Sequence, residues 1–237
     1  MASLLLTFDP DGDLLLLLTD TVEVEEPTES SDKEDTTIER TADEISLEDF
    51  TSARLSPVER SPTNIRPAEV GPKSRREIQM LVSSKHLMLA SPVFKAMLQH
   101  SAFREGATLR TSGQVKVPLP DDDPAALKIL LDIVHGRVRQ VPREVDLKVM
   151  TDLSVLVDKY QMLEVVELYA EIWMSTLKYS VPIFFTADLL PWLSISWVFG
   201  LADQFKQVSR IAMRGSTELF GAREEYLPIP QHVFGKS

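Results

Sequence analysis

"VSSKHLMLASPVFKAML", Val82 to Leu98, is the stretch that decides how this chain is read. Ser91 and Pro92 open a helix together. A serine hydroxyl at the N-cap accepts from an unpaired N–H of the first turn. Proline's fixed φ suits the first helical position, whose N–H has no partner in any case. Val93, Phe94, Met97 and Leu98 then recur at helical spacing and make an apolar face. Ile78 to Val82, just before, reads as a short strand, so strand gives way to helix here.

Toward the C-terminus the signals repeat. Val115-Lys116-Val117 alternates as a strand does, and Asp123-Pro124 is a second cap-plus-proline pair before a helix over Ala125–His135. Val145, Val149, Leu153, Leu156, Val157 and Tyr160 mark a further helix, and Leu163, Val166, Ala170, Trp173 and Leu177 another. Strands come first and helices accumulate after them, which predicts an α+β fold with a short sheet packed on a helical cluster.

Toward the N-terminus stands "LLLTFDPDGDLLLLL", Leu4 to Leu18. Alternate aspartates suggest a calcium loop of the EF-hand kind. Such a loop needs glycine at its sixth position and glutamate at its twelfth; counted from Asp9, those places hold Leu14 and Asp20. Pro10-Asp11-Gly12 instead has β-turn chemistry, with proline presetting φ and glycine accepting a positive one. The spacing predicts a β-hairpin over residues 1–24.

The net charge of −11 is concentrated. Asp20 to Asp49 holds thirteen acidic residues against Lys33 and Arg40, so this stretch carries the whole imbalance and the remainder is neutral. Residues 25–76 are rich in Glu, Asp, Ser, Thr and Pro, with prolines at 57, 62, 67 and 72, and predict a disordered insertion, acidic then basic. "ESSDKED" and the Ser-Pro pairs at Ser56 and Ser61 offer phosphorylation sites, or are incidental in a solvated segment. The absence of cysteine removes disulfides and thiolate chemistry and fits an intracellular location, cytoplasmic or nuclear. Ile183 to Leu201, the most apolar stretch, is broken by Asp188 and Pro191 and predicts a buried helix rather than a membrane span.

Catalytic patterns are absent. His86, His100, His135 and His232 form no metal-binding spacing, no serine sits in a nucleophile elbow, and the nine glycines make no phosphate loop. His86 reads as a core or rim histidine. Asp121-Asp122-Asp123 reads as a loop ending in an N-cap, its acids suited to the helix dipole, with a hard cation as the other possibility. Aromatics do not alternate with basic residues, so single-stranded nucleic-acid binding has no support. The expectation is no enzyme, cofactor or metal, no nucleic acid and no membrane.

Across residues 4–24 and 77–178 the chain resembles the BTB/POZ domain, most closely the BTB proteins of filamentous fungi, with the insertion placed after the first hairpin. Leu87, Ser91, Pro92, Phe94 and Met97 match that family's helical hairpin, and the resemblance implies that they form the domain core. Phe103-Arg104-Glu105 matches a hydrophobic-x-Glu triplet. The resemblance implies that this triplet docks a cullin scaffold in some members, with Phe103 and Glu105 as the partner-binding residues. The other reading has Phe103 anchoring its loop in the core and Glu105 merely solvated.

The family histidine falls at Ser83 and its neighbouring basic residue at Ser84. No aspartate near residues 77–80 stands opposite, so the charged pocket used for corepressor binding is not expected. The N-terminal helix exchanged between partners in many family dimers is also not expected, because the hairpin comes first. Residues 179–237 predict a helical extension folded against the Val166–Trp173 helix, with neither the length nor the ligands of a kelch or zinc-finger module. The resemblance thus implies a non-catalytic protein–protein interaction module, a scaffold or adaptor, whose partners are other proteins. A substrate receptor or adaptor of a cullin-type ubiquitin ligase is the alternative, and another BTB chain is a further possible partner.

Overall fold

In the computed structural model, which describes residues 3–22, 74–99, 102–215 and 226–229, the two leucine runs are strands β1 (Ser3–Thr7) and β2 (Leu14–Val22). They do not pair with each other. Strand β3 (Ser74–Val82) lies between them and β4 (Val115–Pro118) closes the far edge, giving the order β1-β3-β2-β4. β1 is parallel to β3, with Leu4 opposite Ile78, and β2 is parallel to β4, with Leu16 opposite Val117.

The predicted hairpin is therefore corrected: residues 3–22 straddle β3. The Asp9–Gly12 turn arcs over the end of that strand. Phe8 and Asp9 both donate their N–H to the Leu81 carbonyl, and Gly12 N–H closes the turn on the Asp9 carbonyl at 3.1 Å. Gly12 does not use a positive φ. It is required because a Cβ there would meet the Val82 carbonyl oxygen at 2.7 Å. Residues 23–73 join β2 to its sheet neighbour β3, so the insertion interrupts a neighbouring strand pair instead of following one. Its predicted disorder and phosphorylation sites lie outside the described residues. Its predicted end at residue 76 is too late, because β3 begins at Ser74.

Side chains alternate across the sheet as the pleat requires. Leu14, Leu16, Leu18, Ile78, Met80, Val82, Val115 and Val117 are buried on the inner face. Against that face pack α1 (Ser84–Ala90), α2 (Pro92–Gln99), α4 (Pro124–Val134) and α5 (Leu147–Tyr160), in one core that includes Leu87, Phe94, Leu127, Leu130 and Leu153. Met97 is half-buried against it. Pro92, expected in the core, is exposed, because its ring at the first helical position points away from the packed face.

The two caps that the sequence implies, Ser91 and Asp123, are present, and Asp146 adds a third. Ser91 Oγ accepts from Phe94 N–H at 3.1 Å, Asp123 from Ala126 N–H at 2.8 Å, and Asp146 from Val149 N–H at 2.7 Å. Helices α3 (Arg104–Ser112), α6 (Leu163–Leu177), α7 (Leu189–Val198) and α8 (Ala202–Gly215) complete the fold. Residues 1–21 and 75–237 form one compact unit, so the C-terminal helices belong with the sheet and its helices.

α7 packs on α5 and α8 rather than on α6, the Val166–Trp173 helix that was expected to receive it. Small residues explain the choice. Ser154 of α5 and Ser194 of α7 are fully buried and hydrogen-bond to each other at 2.7 Å, which lets the two backbones approach closely. α6 instead seals Trp173, whose indole N–H donates to the Pro142 carbonyl at 2.8 Å.

Candidate interaction site

α3 follows α2 after a short connection and leans over the outer face of the sheet. Phe103 is its N-cap in extended conformation, offers no side-chain cap, and leaves its ring 52% exposed. The reading in which Phe103 anchors the loop in the core is overturned: the ring faces water. Glu105, in the first turn, is half-exposed, and among the described residues its carboxylate has no hydrogen bond or ion pair. It suits that position, since a carboxylate is stabilised near a helix N-terminus. Arg110 of α3 donates to the Gln99 carbonyl at 2.9 Å and fixes the helix to the end of α2.

Between α3 and the sheet lies a cleft of about 570 Å³. Leu15, Leu17 and Leu81 form its apolar floor, with Arg104, Glu105 and Lys116 at the rim. An apolar floor rimmed by charges of both signs, unpaired among the described residues, is suited to a side chain from another protein. Glu105 thus lies on the cleft rim, and Phe103, outside the lining, is exposed at the N-cap of the same helix.

Asp13 and Ser84 meet at the inner end of the same region. The Asp13 carboxylate accepts from Ser84 N–H and Ser84 Oγ–H, both at 2.7 Å. Asp13 stands immediately before β2. It caps α1 by accepting from the N–H and the hydroxyl of Ser84, the first residue of that helix. Asp9 Oδ1 accepts from Asp11 N–H at 3.0 Å. Both flanking aspartates of the opening turn thus serve the backbone.

His135 sits half-buried beneath the start of α1. Its Nε2 accepts from Ser83 N–H at 3.1 Å and its Nδ1 donates to the Leu131 carbonyl at 2.9 Å. An N–H can only donate, so the ring is neutral and carries its proton on Nδ1. The His86 ring meets it edge-on with centroids 5.1 Å apart, while Phe8 lies 5.8 Å away under the Arg137 guanidinium. His86 is thus a rim residue.

Burial lowers the His135 pKa below 6.5, aided by the charges of His86 and Arg137 and opposed by the Leu131 bond and Asp9. Because the folded pKa is depressed, stability is fully present above 6.5. It falls as pH drops toward the folded value, since the unfolded chain takes up a proton that the folded one refuses. Denaturant midpoints of the wild type should decline across that window, and His135→Gln should flatten the decline. Equal slopes in the two proteins would remove His135 from this role.

Asp122 is the residue that sequence reasoning placed least well. Beyond standing in the loop that ends in the N-cap, it is a buried hub at 4% exposure. Its carboxylate accepts from the Tyr160 hydroxyl and from Lys159 Nζ. Burial, together with that bond, raises the Tyr160 pKa, so the phenol stays protonated. The Tyr160 carbonyl in turn accepts from Ser91 Oγ at 2.6 Å. The Ser91 hydroxyl thus caps α2 and ties it to the end of α5. No local signal reveals this network, because its members lie far apart in sequence. Among the described residues no group of three His, Asp or Glu side chains could hold a metal; His100 and His232 lie outside them.

Residues 77–176 match the family model of the BTB/POZ domain. The chain carries a BTB/POZ domain. No curated protein matches the chain. The matched range begins at Glu77, within β3, and ends at Thr176, within α6. It leaves out β2, which lies between β3 and β4 in the same sheet, α7, which packs on α5, and α8, which packs on α7. BTB domains bind other proteins, so this part of the chain is a protein–protein interaction module. No described helix is long and apolar enough to cross a membrane.

Proposed function

We propose that the chain as a whole is a non-catalytic scaffold or adaptor of the cell interior, related to the insertion-bearing BTB proteins of filamentous fungi. It works through protein contacts, without nucleic acid or membrane. The exposed Phe103 ring beside the unpaired Glu105 carboxylate carries this reading. A half-exposed phenylalanine at the N-cap of α3 gains from a partner that desolvates it, and the free carboxylate two residues on, at the cleft rim, adds direction.

The same pair favours a more specific second reading, in which α3 docks a cullin scaffold and the chain delivers a substrate to a ubiquitin ligase. The test is binding of the full chain to a recombinant cullin N-terminal region in raised salt. Phe103→Ala and Glu105→Arg should each weaken retention by roughly 30-fold, the loss typical of a hot-spot residue. Retention unchanged in both variants would move the contact away from α3. No retention of the wild type would exclude the cullin and leave the scaffold reading to stand on other partners.

A further inference from the structure

Two helix faces far from α3 carry opposite charge and matching apolar ridges. On α6, Leu168 and Ile172 stand 73% and 53% exposed, one turn apart, flanked by the exposed Glu164, Glu167 and Glu171. On α8, Lys206, Arg210 and Arg214 recur every fourth residue on the solvent side, with Met213 73% exposed beside them. Within the described residues none of these six charged groups makes an ion pair or a hydrogen bond. The α6 row is acidic and the α8 row is basic apart from Asp203 at the start of that helix, so each awaits its complement.

The α8 face is also concave. Gln207 donates to the Pro182 carbonyl at 2.9 Å and draws the 181–188 segment alongside the helix. The result is a groove of about 550 Å³ with Ile183 and Ile211 as apolar walls and the three cations along it; Asp203 is the one acid in the lining. Phe184, next to Ile183, is 65% exposed. At 1.5 Å per residue the cations span about 12 Å and the α6 carboxylates about 10 Å, so the stripes agree in length. An exposed apolar residue alone needs no explanation, but ridges set inside single-sign charge rows mark interaction surfaces.

We propose that the α6 ridge of one copy seats in the α8 groove of a second copy. Both faces are exposed in one chain, so they do not cover each other within it. The contact joins two different surfaces and is therefore heterologous, which builds open chains or closed rings rather than a pair. The ridges are short, which places the contact among weak, concentration-dependent ones. Salt should loosen it, because much of the attraction is between exposed charges.

Sedimentation velocity of the full chain tests this. Wild-type mass should grow with concentration at low salt and shrink as salt is added. Two triple variants, Lys206→Glu/Arg210→Glu/Arg214→Glu and Glu164→Lys/Glu167→Lys/Glu171→Lys, should each fail to grow alone. All six positions are exposed, so thermal melts should confirm that both variants fold. Mixed in equal amounts they should assemble again, since each supplies the reversed partner of the other. Wild-type mass that stays constant up to the solubility limit would overturn the proposal. So would growth of either variant alone, or a mixture that does not assemble.

Discussion

A chain cut after Ser180 should aggregate and bind a hydrophobic dye, while the full chain stays soluble. The cut removes α7, whose Leu189, Trp192, Leu193 and Ile195 are at most 2% exposed. Each large apolar side chain contributes about 1.5–3 kcal/mol by its burial, and a domain's whole net stability is only about 5–15 kcal/mol. The face of α5 around Ser154, which α7 covers, would be left bare to water. Light scattering of the two chains at matched concentration gives the answer. A well-behaved monomer ending at Ser180 would mean that the C-terminal helices are a docking element and not part of the core.

Phe94→Ala should cost roughly 3–5 kcal/mol in denaturant unfolding, the range for truncating a buried aromatic. Phe94 is fully buried, and its ring stacks on Tyr160 with centroids 4.6 Å apart and planes 22° from parallel. Tyr160 is held from both sides. Its hydroxyl is fixed by Asp122 and its carbonyl by Ser91, the cap of the helix that carries Phe94. The ring cannot move in to fill the space, so the cavity persists and the penalty lies toward the upper end. A loss below about 1 kcal/mol would place Phe94 outside the core and break the alignment of Val82–Leu98 with the BTB pattern.

What the sequence made legible was local. Ser91, Asp123 and the apolar rows of α2, α4, α5 and α6 speak through spacing and caps, which need only a few neighbouring residues. What it hid was non-local. Two leucine runs joined by a tight turn look like a hairpin, and nothing in residues 4–18 says that a third strand from beyond residue 73 will lie between them. Gly12 looks like a turn glycine, whereas its requirement comes from the Val82 carbonyl. Asp13 with Ser84, His135 with Ser83 and Asp122 with Tyr160 are bonds between residues 38 to 71 positions apart. At the candidate site the family pattern singled out Phe103 and Glu105, but only the fold reveals that the phenylalanine faces water and that the glutamate rims a cleft floored by β2 and β3.

That this protein works by binding other proteins through its BTB domain, with the α3 surface as the contact, is tested most directly by quantitative affinity purification from its native cells. Wild type is compared with a Phe103→Ala/Glu105→Arg variant of equal thermal stability. The expected result is at least one protein recovered with the wild type in near-stoichiometric amount and depleted by roughly tenfold or more with the variant, the effect of losing about 1.4 kcal/mol of binding. Identical partner profiles from the two proteins, or no partner above background with the wild type, would contradict it.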